Sequence, residues 1–172
     1  VMDPVIKGLS SYLGMTPKGV PGLQYTLDEA YFRRVEALDF ALTFDDGQML
    51  QGIEEAEVIL VGVSRTSKTP TCVFLARRGI RAANSPLVPG VPPPEHVFKF
   101  EGPLYVGLTE RSAHLANIRR SRLKADMNDP NYQHNAYIDP DAISEEVRNA
   151  RRLFGKYGWP VIDVTRRSVE ET

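Results

Sequence analysis

Six residues constrain this chain more than any others: Val58-Ile59-Leu60-Val61-Gly62-Val63. The run is too short and too β-branched to be anything but a buried strand. The next six residues, Ser64-Arg65-Thr66-Ser67-Lys68-Thr69, are polar and cationic. Pro70 then tolerates only a first-turn helix position, which predicts a helix from about Thr69 to Arg78. A buried strand that passes through a cationic loop into a helix N-terminus is a place to hold an anion, and a phosphate is the first candidate.

The spacing inside the loop sharpens that reading. Gly62 to Thr69 matches the phosphate-cradling pattern G-x-x-x-x-G-K-[ST] except that Ser67 stands where the second glycine would be. Four residues between Gly62 and Ser67, namely Val63, Ser64, Arg65 and Thr66, are enough to curl the backbone so that successive N–H groups face one anion. Lys68 adds a mobile charge for the outer phosphate, and Thr69 can offer its hydroxyl to Mg²⁺. Ser67 is a departure, because a side chain there narrows the backbone angles available. Without phosphate, the same stretch reads as a polar strand-to-helix turn.

The remaining elements follow an α/β order. Asp3 to Leu13 predicts a short helix ended by Gly14, and Gly19 to Thr26 a loop. From Leu27 to Phe44, Tyr31, Phe32, Val35, Leu38 and Leu42 recur at three- and four-residue steps, an amphipathic helix with Asp28 near its start as N-cap. Pro86 to Pro94 holds five prolines, so it predicts an extended loop, neither central strand nor helix. Leu104 to Leu108 reads as a second buried strand, and Thr109 as the cap of a helix running to about Lys124. Asp139 starts another helix that ends near Gly155 or Gly158. Trp159 to Val164 is a third strand, and Arg166 to Thr172 begins one more helix. The most economical assembly is a P-loop kinase-like α/β domain, a mainly parallel sheet flanked by helices. Residues 1–52 are then a helical segment ending in Asp45-Asp46-Gly47-Gln48, and residues 53–172 the nucleotide-binding core, together one compact domain.

Composition bounds the partners. At 172 residues and 42% hydrophobic the chain can bury a substantial core, and a net charge of −1 gives no reason to expect a nucleic-acid or membrane surface. One cysteine, Cys72, excludes an internal disulfide and suits a reducing compartment. No apolar run approaches the roughly 18 residues of a membrane span. Val1 precedes Met2, and Glu171-Thr172 falls inside a helix-like run, so a piece of a longer protein is expected.

Several blocks carry a family resemblance. Gly62 to Leu75, Arg78-Gly79-Ile80-Arg81-Ala82-Ala83-Asn84 and Pro86-Leu87-Val88-Pro89-Gly90 resemble the pyruvate, phosphate dikinase regulatory proteins. These are bifunctional kinase/phosphorylases related to the regulators of phosphoenolpyruvate synthase. The likeness continues in Asp45-Asp46-Gly47-Gln48, Val106-Gly107-Leu108-Thr109, Ile118-Arg119-Arg120-Ser121-Arg122-Leu123 and Gly158 to Thr165, so it covers nearly the whole chain in order. Ser67 and the Leu87-Val88-Pro89-Gly90 ending are more like the dikinase branch than the synthase branch.

The resemblance implies that ADP, not ATP, phosphorylates a threonine beside the catalytic histidine of the dikinase and inactivates it. It also implies the opposite process, phosphorolysis, in which inorganic phosphate takes the phosphoryl group and leaves as pyrophosphate. The implied partner is the dikinase or the synthase, the implied location the cytoplasm, or the plastid stroma in a plant. The oligomeric state stays open, a homodimer included. One anion cradle with Lys68 over the transferred phosphate can serve both directions, since phosphoryl transfer asks mainly for positioning and charge neutralisation.

Transfer to a threonine also needs a group to take the hydroxyl proton. Asp45 and Asp46 are the candidates, with Asp46 preferred as base. Two acids at a helix C-terminus are mildly unfavourable there, which argues against a merely solvated terminus. Asp163, at the end of the third strand, is placed either as a Walker-B-like acid holding Mg²⁺ or as a helix cap. Arg119, Arg120 and Arg122, within one helical turn, could clamp phosphate or dock an acidic partner surface, or form an ordinary solvated face. His96, His114 and His134 lack zinc-ligand spacing. Cys72 reads as a core residue, and Trp159 as packing at a strand entry. Two other classes share the loop: a generic P-loop kinase or NTPase, and a non-catalytic nucleotide-sensing module, which would have no need of the Asp45-Asp46 pair.

Overall fold

A computed structural model describes residues 3–16, 28–47, 51–92, 95–125 and 137–172. Gly19 to Thr26, Gln48, Pro93, Pro94 and His134 lie outside the described residues. Four parallel strands, β1 (Val58–Val63), β2 (Ala82–Leu87), β3 (Leu104–Thr109) and β4 (Val161–Asp163), form one sheet in the order β2-β1-β3-β4. Among the described residues, five α-helices accompany it: α1 (Asp3–Leu13), α2 (Glu29–Thr43), α3 (Lys68–Ala76), α4 (Ser112–Ala125) and α5 (Pro140–Tyr157). The expected α/β class, a parallel sheet flanked by helices, is what the chain adopts.

Alternation along β1 divides the core. Ile59, Val61 and Val63 pack on one face with Ile143, Val147, Ala150 and Phe154 of α5. Leu60 packs on the other with Ala37 and Ala41 of α2 and Cys72 and Ala76 of α3. Burial pushes the Cys72 thiol up to about 12, so it behaves as a small apolar residue there. α3 and α5 therefore lie on opposite faces, and β1 is flanked by β2 on one side and β3 on the other, so the direction of the strand order changes at β1. In open α/β sheets that arrangement opens a crevice at the carboxyl ends of the strands.

Local chemistry explains the helix ends. Asp28 caps α2 by accepting from the Tyr31 amide at 2.8 Å, and Asp139 caps α5 by accepting from Ala142 at 3.0 Å. Gly158, left-handed at φ 68°, closes α5. Trp159 stacks on Tyr105 and Tyr157 beside β4, with ring centroids 5.1 and 4.9 Å away.

Three expectations are corrected. β2 is absent from the elements expected of the sequence, and it carries Pro86 within the stretch read as loop; β2 pairs only with β1 at this edge of the sheet, where a missing donor is tolerated. Thr109 ends β3 instead of capping a helix, and α4 starts at Ser112. Arg166 to Thr172 makes only a short 3-10 turn, Val169–Glu171, held by a reciprocal Ser168–Glu171 capping box.

Gly62 shows how tightly β1 is held against β3. A Cβ at this position would lie 2.6 Å from the Leu108 carbonyl oxygen and 2.8 Å from Thr66 Oγ1. Gly62→Ala should therefore lower stability by about 3 kcal/mol, the upper range for overpacking. A urea midpoint equal to wild type would show that the strands can part without loss.

Candidate functional site

The loop between β1 and α3 is curled by two left-handed residues, Arg65 at φ 72° and Ser67 at φ 58°. Non-glycine residues seldom adopt this region, and each pays about 1–2 kcal/mol in steric strain. Thr66, fully buried between them, donates its hydroxyl to the Val63 carbonyl at 2.9 Å. The same carbonyl accepts Lys68 Nζ at 2.9 Å, so both of its lone pairs are used to close the loop on itself. Lys68 is 5% exposed, and burial lowers its pKa to about 8, offset in part by the charges of Asp46 and Asp45. A lysine held in this way is an ammonium short of an anionic partner.

Asp45 and Asp46 reach this loop from the end of α2. Asp45 Oδ1 accepts the Thr69 hydroxyl at 2.8 Å, Asn84 Nδ2 at 2.7 Å and the Asp46 amide at 3.1 Å. Asp46 Oδ1 accepts Asn84 Nδ2 at 3.1 Å, and its backbone is left-handed at φ 53°. Asp46 is exposed and, with Ser64, Arg65, Ser67, Lys68, Thr69 and Pro86, lines a cleft of about 410 Å³. Lysine, threonine and both carboxylates thus share one region, while Asp46 is the acid that opens into the cleft.

Asn84 is a member of this cluster that the sequence motifs do not single out as a site residue. It lies on β2, 1% exposed, and also reaches Thr69 Oγ1 at 3.2 Å, while its own Oδ1 finds no partner among the described residues. The available signal is a carboxamide inside the otherwise apolar run Ala82-Ala83-Asn84.

Asp163 stands elsewhere. It lies on β4, with β3 between it and β1, and does not line the cleft. Its carboxylate accepts the Thr165 amide at 2.9 Å and lies 3.9 Å from Arg151; hydrogen bonds from Thr165 hold it below the usual carboxylate range. Its contacts are those of a turn-forming acid, and Asp45 is the carboxylate beside Thr69.

Of the three arginines, Arg119 turns inward and no reading of the trio describes it. It is 1% exposed, pairs with Glu146 at 2.7 and 3.2 Å, and donates to the Ser64 carbonyl at 3.3 Å and the Tyr137 carbonyl at 3.1 Å. It braces the start of the loop through carbonyls instead of facing the cleft. Arg122 is exposed, and Arg120 donates to Asn117 at 3.2 Å.

Ser67 gives a direct test of the cradle. Its side chain makes no capping hydrogen bond, and its φ suits glycine. Ser67→Gly should leave stability within about 1 kcal/mol, since relief of strain is offset by a more flexible unfolded chain. If the loop holds nucleotide phosphates, affinity for them should stay within about tenfold, or 1.4 kcal/mol. Complete loss of ADP binding in calorimetry would mean that the hydroxyl, not the backbone, holds the phosphate.

Comparison with known proteins places this geometry in context. The family model described as kinase/pyrophosphorylase matches residues 1–172. A protein of Rhodospirillum rubrum is 53% identical over 171 residues, covering 99% of this chain and 61% of the relative. Relatives from Paramagnetospirillum magneticum, at 50% over 172 residues, and Caulobacter vibrioides, at 53% over 171, are covered over 54% and 53% of their lengths. All three are provisionally named pyruvate, phosphate dikinase regulatory protein. The chain therefore spans between about half and three fifths of the relatives it matches. Among the described residues, no helix is long and apolar enough to cross a membrane.

Proposed function

The chain belongs to the kinase/pyrophosphorylase family, and from that premise we propose that it carries the phosphoryl-transfer centre of a protein kinase and phosphorylase acting on pyruvate, phosphate dikinase. ADP is the donor and a threonine near the dikinase's catalytic histidine the acceptor. The observation that carries this reading is the convergence of Lys68 and Asp46 on one cleft at the carboxyl end of β1. A P-loop-like cradle there supplies charge, and the acid supplies a proton acceptor.

In the kinase direction the threonine oxygen attacks the β-phosphorus of ADP, its proton passes to Asp46, and the bond to the bridging oxygen breaks to release AMP. Lys68 leaves the Val63 carbonyl for the transferred phosphate. In the phosphorylase direction an oxygen of inorganic phosphate attacks the phosphothreonine phosphorus, and the threonine oxygen leaves with a proton while pyrophosphate departs. Thr69 Oγ1 and Asp45, hard oxygen donors within hydrogen-bond reach of each other, suit Mg²⁺ better than a softer metal. When bound, Mg²⁺ would neutralise phosphate charge.

Incubation of the chain with dikinase and β-labelled ADP tests the proposal, with the longer Rhodospirillum rubrum relative run beside it. Phosphothreonine on the dikinase, removed again by phosphate with release of pyrophosphate, is the expected result. Transfer from ATP alone would make the chain a generic nucleotide kinase, and ADP binding without transfer a sensing module. A cytoplasmic location follows from the same reading.

A further inference from the structure

On the opposite face of the sheet from Asp46 and Asn84, a second cavity of about 610 Å³ opens between the end of β2 and α5. That is the size of a small-molecule site, for which roughly 300–1,000 Å³ is usual. Val63 and Leu87 stand at the strand ends, Leu153 and Asn149 on α5, and Tyr137 and Val91 complete the lining that matters here. The cavity touches the phosphate loop. Val63 lines it with its side chain while its carbonyl holds Lys68, and the Tyr137 hydroxyl is 3.1 Å from Ser64 Oγ, which lines the cleft.

We infer that this cavity receives the adenine and ribose of the nucleotide whose phosphates occupy the loop, an inference that rests on the function proposed above. The argument is one of direction. In phosphoryl transfer the attacking and leaving oxygens lie roughly in line on opposite sides of phosphorus. Asp46 fixes the side of attack, on the α2 and α3 face of the sheet, so the leaving AMP extends toward the α5 face. Along β2, Asn84 faces the acids and Leu87, three residues on, faces the other side, in keeping with strand alternation. The cavity is concave and apolar, lies on that side and shares a wall with the loop. Its chemistry suits a purine: aliphatic side chains for the ring faces, and at the rim the Asn149 carboxamide, whose donor and acceptor match the N6 and N7 edge of adenine.

Two measurements test this on the chain as it stands. Photolabelling with 2-azido-ADP, mapped by mass spectrometry, should mark residues 87–91 or 137–153. Labels confined to residues 45–47 or to α3 would overturn the assignment. Ala142 of α5 also lines the cavity; in calorimetry, Ala142→Trp, which adds an indole there, should weaken ADP at least thirtyfold while inorganic pyrophosphate binds within twofold of wild type. Retained pyrophosphate binding also certifies that the variant folds. Unchanged ADP affinity, or an equal loss of both ligands together with labels away from the cavity, would overturn the pocket. A wild-type chain that binds pyrophosphate but not ADP overturns the pocket and spares the loop; one that binds neither overturns the functional reading beneath it.

Discussion

Replacing Lys68 with alanine should slow both kinase and phosphorylase reactions by about a thousandfold or more while the fold persists, because a preorganised charge beside the transferred phosphate is worth several kcal/mol. The resting protein makes the expectation specific. Lys68 is buried, tied to the Val63 carbonyl, and carries a pKa lowered from 10.5 to about 8 by desolvation. The unfolded chain keeps this proton to about 10.5, whereas the folded chain gives it up near 8. Between those values this group binds more protons in the unfolded state, so its contribution to stability rises with pH across that window. A shift of that size corresponds to about 3 kcal/mol at 1.36 kcal/mol per unit. Denaturation from pH 7.5 to 9 should show this rise in wild type and a flat profile in Lys68→Met; above about 9 the Cys72 thiol, kept protonated to about 12 by burial, pulls stability down in both. The free protein therefore holds an ammonium at an energetic disadvantage that a phosphate removes. An anion restores the charge, so ADP binding at pH 8 should take up roughly half a proton, read by calorimetry in buffers of different ionisation enthalpy. No proton uptake, or either reaction near the wild-type rate in Lys68→Ala, would remove Lys68 from the mechanism.

What the sequence discloses and what it withholds divide by range. β1, the Pro70 helix start and the caps Asp28 and Asp139 are set by neighbours within a few residues, so local pattern is enough. β2 is hidden because Pro86 speaks against a strand locally, and only its place at the sheet edge makes it harmless. Asn84 meets Asp45 across 39 residues, and Arg119 meets Ser64 across 55. Neither pairing has a periodic signature. Arg119, Arg120 and Arg122 look alike in sequence, and packing alone turns the first into a buried brace. Asp163 is the acid that the sequence offers for a metal beside Thr69, and only the strand order shows that it stands away from that threonine, where Asp45 lies instead.

Asp46→Asn should cost both reactions about a hundredfold or more, the usual contribution of a general acid–base group, with ADP affinity changed less than about threefold. The two reactions are not each other's reverse, since AMP leaves in one and inorganic phosphate enters in the other. Both nevertheless make or break the same bond between threonine oxygen and phosphorus, so a proton must leave that oxygen in one and return to it in the other. Asp45 is the less available acid, because three donors already converge on its Oδ1. Asp46 faces the cleft from a left-handed backbone, φ 53°, next to left-handed Gly47. Strain of this kind gathers at functional positions, and asparagine tolerates the left-handed region well. The variant therefore preserves shape and removes only the proton acceptor. ADP affinity by calorimetry, set beside rates in each direction, separates the roles. Loss of ADP binding only when Mg²⁺ is present would recast Asp46 as a metal ligand. An unchanged rate in either direction would pass the proton to Asp45, and Asp45→Asn would then have to abolish what Asp46→Asn spared.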